Sequence, residues 1–399
     1  MGTLSSGLDR YRVMQTADVV IIGGGIVGSG IAYHLTQAGC RNVLVIEREA
    51  HQGKGSTGKS MGGVRAQFTT PVNIQMSLYS IPFYASFDER LDHPAGYRPQ
   101  GYLFVATKHA HLQCLEKNQQ LQKSLGLKNV RMLSAVEIID MVPQLRSDDI
   151  LGGSFCPTDG FVDPYSAMTG FIKRAVDSGA KVWKSAEVTG VLKKDNRLSG
   201  VTTTRGEVHA PVVVNAAGAW APPIAKMAGV DLPVTPLRRM LIPTEPFDGV
   251  SHETPMVIDM TNGFHFRPET RGFLLAWNDP DETPGFKFDF DPEFIEKVLT
   301  RAAERVPCFE NLAVNPKRAW AGLYEMSPDH HGIIGEFEEL RGFYAANGFS
   351  GHGVMHAPAT GKIVADLITS GSTKVVDNVS VLSPSRFKSG ELLHEPALL

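Results

Sequence analysis

The chain lacks the features that would place it in a membrane, at a metal or on nucleic acid. No apolar run approaches the roughly 18 residues of a membrane-spanning helix, so no integral membrane segment is expected. Cysteine is scarce: Cys40, Cys114, Cys156 and Cys308 stand far apart without a CxxC pair. That spacing excludes a disulfide framework and a structural zinc site, and it suits a reducing cytoplasm. His352 with His356, four apart, and the adjacent His330 and His331 have no HExxH pattern, acidic third ligand or thiolate cluster beside them, so no metal is expected. There is no Gly-x-Ser-x-Gly elbow of a serine hydrolase either. Like charges form no blocks: 39 basic residues are spread against 42 acidic ones, net −3, which leaves no electrostatic footprint for nucleic acid. The basic pairs Lys193-Lys194 and Arg238-Arg239 read as solvated surface, as do His109 and His111 on a helix. Residues 1 to 16 carry no continuous apolar segment or small-residue cleavage site, so Met1 to Gln15 reads as a disordered tail without a secretory signal.

Glycine, by contrast, is abundant and patterned. Gly23-Gly24-Gly25-Ile26-Val27-Gly28 follows the apolar run Val19-Val20-Ile21-Ile22 and precedes the helix-like Ile31-Ala32-Tyr33-His34-Leu35. In such a unit Gly23 makes the tight turn, Gly25 lets a pyrophosphate approach the backbone, and Gly28 allows close helix packing, with the helix N-terminus facing the phosphate charge. A second strand, Asn42-Val43-Leu44-Val45-Ile46, ends in Glu47, where a carboxylate suits a ribose hydroxyl pair. Together these elements predict a dinucleotide-binding unit.

More strands lie far along the chain. Val182 to Val191, Gly200 to Thr204 and Pro211 to Asn215 read as strands, and Gly342 to Ala346 is another, followed by a glycine-rich turn and a helix from about Pro358 to Ile368. Alternating patterns at Gly101 to Val105 and Phe273 to Trp277 belong to a second, sheet-rich unit. The expected fold is α/β: a Rossmann-like cofactor domain (1–86, 152–230 and 317–399) interrupted by a mostly antiparallel substrate domain (87–151 and 231–316).

With these segments placed, the chain resembles the D-amino-acid oxidase superfamily of FAD enzymes, within the sarcosine oxidase and L-proline dehydrogenase β-subunit branch. The resemblance rests on Val19 to Gly28, Gly55-Ser56-Thr57-Gly58-Lys59-Ser60 with Gly62 to Arg65, Asn215 to Trp220, Tyr324-Glu325-Met326-Ser327-Pro328-Asp329, and Gly348 to Gly353. It implies FAD held by Gly23, Gly25, Ile26, Val27, Gly28, Glu47, Arg48, Ser56, Thr57 and Arg65, and further along by Val188, Ala217, Gly218, Trp220, Gly322, Gly351, His352 and Gly353. Arg65 and His352 are the implied substrate-side residues, Arg65 through bidentate pairing with a carboxylate. The lysine that completes this clamp in sarcosine oxidases is replaced by Met355, so Arg267 or Arg318 is the candidate second cation. Gly322 stands where related enzymes tether flavin through cysteine, so the FAD is expected to be non-covalent.

The resemblance implies oxidation of an amino acid's secondary amine, as in L-proline or an N-methyl amino acid, by hydride transfer to flavin. A dehydrogenase or oxidase of primary D- or L-amino acids, and a non-catalytic flavoprotein subunit or assembly factor, are the alternatives. A partner subunit or a homo-oligomer is compatible with either. Sarcosine oxidases carry a lysine over the flavin on a strand similar to Gly272 to Trp277; here that strand has no cation, which favours an acceptor other than oxygen.

Overall fold

In a computed structural model of the chain, residues 15–390, 392 and 393 are described. The expected tail falls outside them as far as Met14, whereas Gln15 already pairs with Val208 as a short strand. A six-stranded sheet runs in the order Ile333–Glu336, Phe343–Asn347, Val212–Asn215, Val19–Ile22, Val43–Ile46 and Lys181–Trp183, parallel except for its first member. Strand periodicity builds its two faces: Val19, Ile21, Val43 and Val45 pack under helices on one side, and Val20, Ile22, Leu44 and Ile46 pack on the other.

The helix Ile26–Gln37 begins inside the glycine turn, and its N-cap, Gly25, supplies no side-chain cap. A Cβ at Gly28 would overlap the Gly23 carbonyl, and one at Gly361 would lie 2.6 Å from Gly30 O, so this helix crosses the helix Gly353–Ser370 almost backbone to backbone. The latter starts five residues before Pro358, where the sequence reading began it. Proline has no N–H to give the carbonyl of Val354, and the Tyr84 hydroxyl supplies the missing donor at 2.6 Å. The expected strand from Val182 to Val191 is two strands, because Ser185 turns at φ 49° and passes the chain to a separate four-stranded sheet that includes Val188–Lys194.

The eight-stranded sheet takes Trp320–Met326, Thr235–Pro243, Gly272–Ala276, His265–Glu269, Met256–Asp259, Tyr102–Ala106, Gly152–Cys156 and Arg131–Leu133 in that order, parallel only between Met256–Asp259 and Tyr102–Ala106. Gly152–Cys156 and Trp320–Met326 thus lie in the second sheet, although the sequence reading drew both into the cofactor domain. Hydrogen bonding decides this: Gly152–Cys156 pairs residue for residue with Tyr102–Ala106, and Trp320–Met326 with Thr235–Leu241. Arg305 pins this unit by bonding buried Asp259 at 2.7 Å and Asp149 at 2.8 Å.

Because Gly361 leaves no room between the two crossing helices, Gly361→Val should lower the thermal midpoint by an overpacking cost of about 1–3 kcal/mol. An unchanged melting curve would show that the helices separate freely.

Candidate active site

Two cavities meet between the glycine turn and the eight-stranded sheet. The larger, about 680 Å³, is lined by Gly23, Gly25, Ile26, Val27, Glu47 and Arg48 from the first strand-turn-helix unit and the strand after it. Ser56, Thr57, Val188, Ala217, Gly218 and Trp220 extend the lining, and Gly322, Gly351 and Gly353 complete it. Its chemistry fits a dinucleotide. The N-terminus of the Ile26–Gln37 helix opens here, its Ile26 amide donating to Thr57 Oγ1 at 3.0 Å, and a Cβ on Gly25 would meet only that Oγ1, at 3.2 Å, among protein atoms. The Glu47 carboxylate is fixed at the wall by the amides of Gly24 and Glu49, both at 2.9 Å. Gly28 is not in the lining; its role is behind the turn, against Gly23. No cysteine lines either cavity, and a Cβ at Gly322 would meet Lys59 Cβ at 2.7 Å.

The smaller cavity, about 380 Å³, contains Arg65 and His352 in its wall with Gln67, Phe104, Tyr324 and His330. Arg65 follows the short strand Gly63–Val64, which pairs with Gly160–Phe161. Its Nη1 donates to the Gln67 carbonyl at 2.7 Å, its guanidinium carbon sits 4.1 Å from the Phe68 ring centroid, and its Nη2 is 3.3 Å from His352 Nε2. A guanidinium only donates, so Nε2 accepts and the imidazole is neutral. Burial, and then the charge of Arg65, hold the His352 pKa well below its ordinary value. Behind Arg65, Asp159 accepts from Ala66 N at 2.8 Å and from Gln67 Nε2 at 3.0 Å. Burial raises its pKa to about 6 despite these donors.

The other implied residues lie elsewhere. Arg267 lines neither cavity: its Nε donates to Met61 O, and Nη1 pairs with Glu269 at 2.6 Å. Met355 is packed into the core beneath the Gly353–Ser370 helix, and Arg318 is an exposed partner of Glu245. His356 is structural, its Nε2 3.1 Å from Ser77 Oγ. Among the described residues no cluster of three or more His, Cys, Asp or Glu could hold a metal, and no helix is long and apolar enough to cross a membrane.

Three residues, Arg239, Asn278 and Tyr324, line both cavities and form the wall between them. Reading Arg238-Arg239 as solvated surface fails for Arg239. Strand alternation sends Arg238 to Glu282 at 2.7 Å, while Arg239 joins Leu237 and Leu241 on the cavity side. That period of two was the signal available in the sequence. His265 and Glu325 also line the larger cavity. Burial lowers the His265 pKa to about 4, and burial raises that of Glu325 to about 7 against the amides of Gly348 and Phe349.

These shifts make acid stability a test of the site. Burial lowers the pKa of His34 and of His356 from 6.5 to about 3, that of His265 to about 4, and that of His352 well below its ordinary value, so on acidification the unfolded chain takes up these protons first and stability falls below pH 6.5. Asp159 and Glu325 act oppositely: their raised values give stability that is lost as pH rises through about 6 and about 7. Between pH 6.5 and 4.5 the lowered histidines, His111 among them, outnumber the two raised carboxyls, so the unfolded chain binds more protons than the folded one and stability falls as the pH falls. The urea midpoint should therefore drop across this range; a flat or rising midpoint would show that the histidines are not held neutral.

Comparison with known proteins agrees with this geometry. The family model described as FAD dependent oxidoreductase (DAO) matches residues 18–367. The chain is 33% identical to the FAD-dependent oxidoreductase domain-containing protein 1 of Bos taurus, covering 96% of this chain and 87% of that protein. It is 29% identical to the mitochondrial sarcosine dehydrogenase of Homo sapiens over 90% of this chain but 40% of the relative. Among solved structures, L-proline dehydrogenase from P. horikoshii superposes with a TM-score of 0.88 at 33% identity, covering 95% of this chain and all of that one. With its family model spanning both the glycine turn and the Gly353–Ser370 helix, the chain belongs to the DAO family of FAD-dependent oxidoreductases.

Proposed function

We propose that the protein oxidises the secondary amine of an amino acid, such as proline or an N-methyl amino acid, and passes the electrons to an acceptor other than oxygen. The observation that carries this reading is the shared wall: a small cavity containing Arg65 and a neutral His352 abuts the FAD cavity through Arg239, Asn278 and Tyr324. A cationic cavity beside a flavin suits an anionic substrate with an oxidisable C–H. The names of the sarcosine and L-proline dehydrogenase relatives support the same class.

Bound FAD supplies a two-electron acceptor for hydride from the carbon next to nitrogen. The protein's own residues position and exclude water. Arg65 places its positive charge at the cavity wall, held by the Gln67 carbonyl and the Phe68 ring, and His352 keeps its lone pair on that guanidinium. Phe104, Leu115, Leu237 and Met326 contribute apolar surface. Asp159 accepts from Ala66 and Gln67 and lines neither cavity, and Asp279, which lines the smaller one, is paired with Lys297, so in this reading the substrate amine binds unprotonated. The absence of cysteine from both linings supports a dissociable FAD, and four free thiols suit a reducing compartment.

The acceptor reading rests on the strand Gly272–Ala276, which carries no cation, on Arg267 being spent on Glu269, and on the neutral state of His265. One observation favours a second reading, an oxidase: Arg239 places a fixed charge on the wall of the FAD cavity, and such a charge stabilises superoxide as it forms.

Anaerobic mixing with a panel of amino acids should bleach the flavin with a secondary-amine substrate; a flavin that stays oxidised throughout would remove the enzymatic reading. Arg65→Leu should lower kcat/KM for that substrate by about 2–4 kcal/mol in transition-state terms, with Arg65→Lys recovering part. Unchanged kcat/KM with FAD bound would take Arg65 out of the site. Reoxidation of the reduced enzyme by air-saturated buffer, followed by stopped flow, should be far slower than turnover with an artificial dye. Reoxidation as fast as turnover, with stoichiometric peroxide, would establish the oxidase instead.

A further inference from the structure

Resting on the amine-oxidising reading of the smaller cavity, we propose that Arg239 is the residue that anchors the substrate's carboxylate. It stands on the strand Thr235–Pro243, paired in register with Gly322, and its side chain lines both cavities. Its hydrogen bonding is nearly empty. Nη1 reaches the Arg238 carbonyl only at 3.4 Å, and Nε has no partner among the described residues. The Tyr324 ring lies 5.5 Å away.

Three buried arginines elsewhere in the molecule are neutralised directly: Arg267 by Glu269, Arg305 by Asp259 and Asp149, and Arg386 by Asp329. No carboxylate among the described residues lies within salt-bridge reach of Arg239. The two acidic residues whose fields it feels are already engaged, Asp279 by Lys297 at 2.8 Å and Glu282 by Arg238 and Lys287. A half-buried guanidinium left in this state is completed by an anionic ligand, because its desolvation is otherwise uncompensated.

The ligand side follows from the wall on which it stands. The phosphates of FAD are served by the glycine turn and helix N-terminus, and an oxidised flavin ring carries no charge. The anion therefore comes from the smaller cavity. There Arg65 has already committed donors to the Gln67 carbonyl and to His352, whereas Arg239 presents an unpaired Nε and the rest of its planar fork. Arg65 supplies charge and orientation behind the substrate, and Arg239 makes the bidentate contact. This gives the substrate class an α-carboxylate next to the amine and places that carboxylate at the wall facing the flavin, which sets the neighbouring C–H on the cofactor side.

The test uses FAD-loaded protein and reads binding as well as turnover. Tetrahydrofuran-2-carboxylate, which has no amine to oxidise, is titrated against the flavin absorbance spectrum. Wild-type protein should give a saturable shift, and Arg239→Met should raise the Kd by about 100-fold. Arg239→Lys should recover part of the loss, since a point charge remains but the fork does not. In turnover Arg239→Met should raise KM for proline far more than it lowers kcat. Pyrrolidine, which lacks the carboxylate, should be handled alike by wild type and variant. A Kd within twofold of wild type in Arg239→Met, or equal losses for proline and pyrrolidine, would overturn the assignment; Arg239→Gln is read by the same criteria if the methionine variant does not retain FAD. Because the titration needs no oxidation, it decides the anchor even if no amine bleaches the flavin, the result that would instead defeat the amine-oxidising reading.

Discussion

The structure depends on one close approach, that of the helix Ile26–Gln37 to its surroundings. Glycines bring backbone onto backbone, at Gly28 against the turn and at Gly30 and Gly361 against the C-terminal helix, with the His34 ring beside Gly361. Two backbones then pack with almost nothing between them. Dispersion and apolar burial are strongest where the approach is closest, and a consequence reaches the site. The same contact fixes the helix Gly353–Ser370, whose N-cap is His352, against the strand-turn-helix unit, so the imidazole meets Arg65 from 287 residues away in sequence.

Around that meeting point the protein maintains an unusual electrostatic state. The imidazoles of His265, His352 and His356 are held neutral, while the arginines keep their charge, because a guanidinium loses its proton far less readily than an imidazolium. His352 illustrates the arrangement: its lone pair faces Arg65, so a neutral acceptor solvates that cation. Arg239, which has no carboxylate within salt-bridge reach among the described residues, is the cation left open to an anionic ligand. The contrast with Arg305 and Arg386 shows the alternative, in which two carboxylates on Arg305 and one on Arg386 make a structural clasp.

The two sheets divide the labour. The parallel sheet ends in backbone groups, amides and glycines, that accept a cofactor, and the large antiparallel sheet contributes side chains to the wall facing it. Strand alternation makes this possible, since Arg238 can bind Glu282 on one face while Arg239 serves the cavities on the other.

Much of this was legible in the chain alone. The strand, glycine turn, helix and acidic strand end at Val19 to Glu47 are local, and local sterics and backbone hydrogen bonding determine them; most of the residues named for FAD line the larger cavity for that reason. Misreadings arose where the outcome depends on contacts made across the fold. The helix start before Pro358 depends on the Tyr84 hydroxyl, the sheet membership of Gly152–Cys156 on distant strands, and the retirement of Arg267 on Glu269 and the Met61 carbonyl. Arg239 is the clearest case. Its sequence neighbourhood, a basic pair in a strand, is indistinguishable from a solvated surface, and only the tertiary packing around it desolvates it and leaves it without a carboxylate among the described residues. Local sequence determines what a segment can form, whereas the charge state and exposure of a side chain are set by the non-local atoms that replace its water.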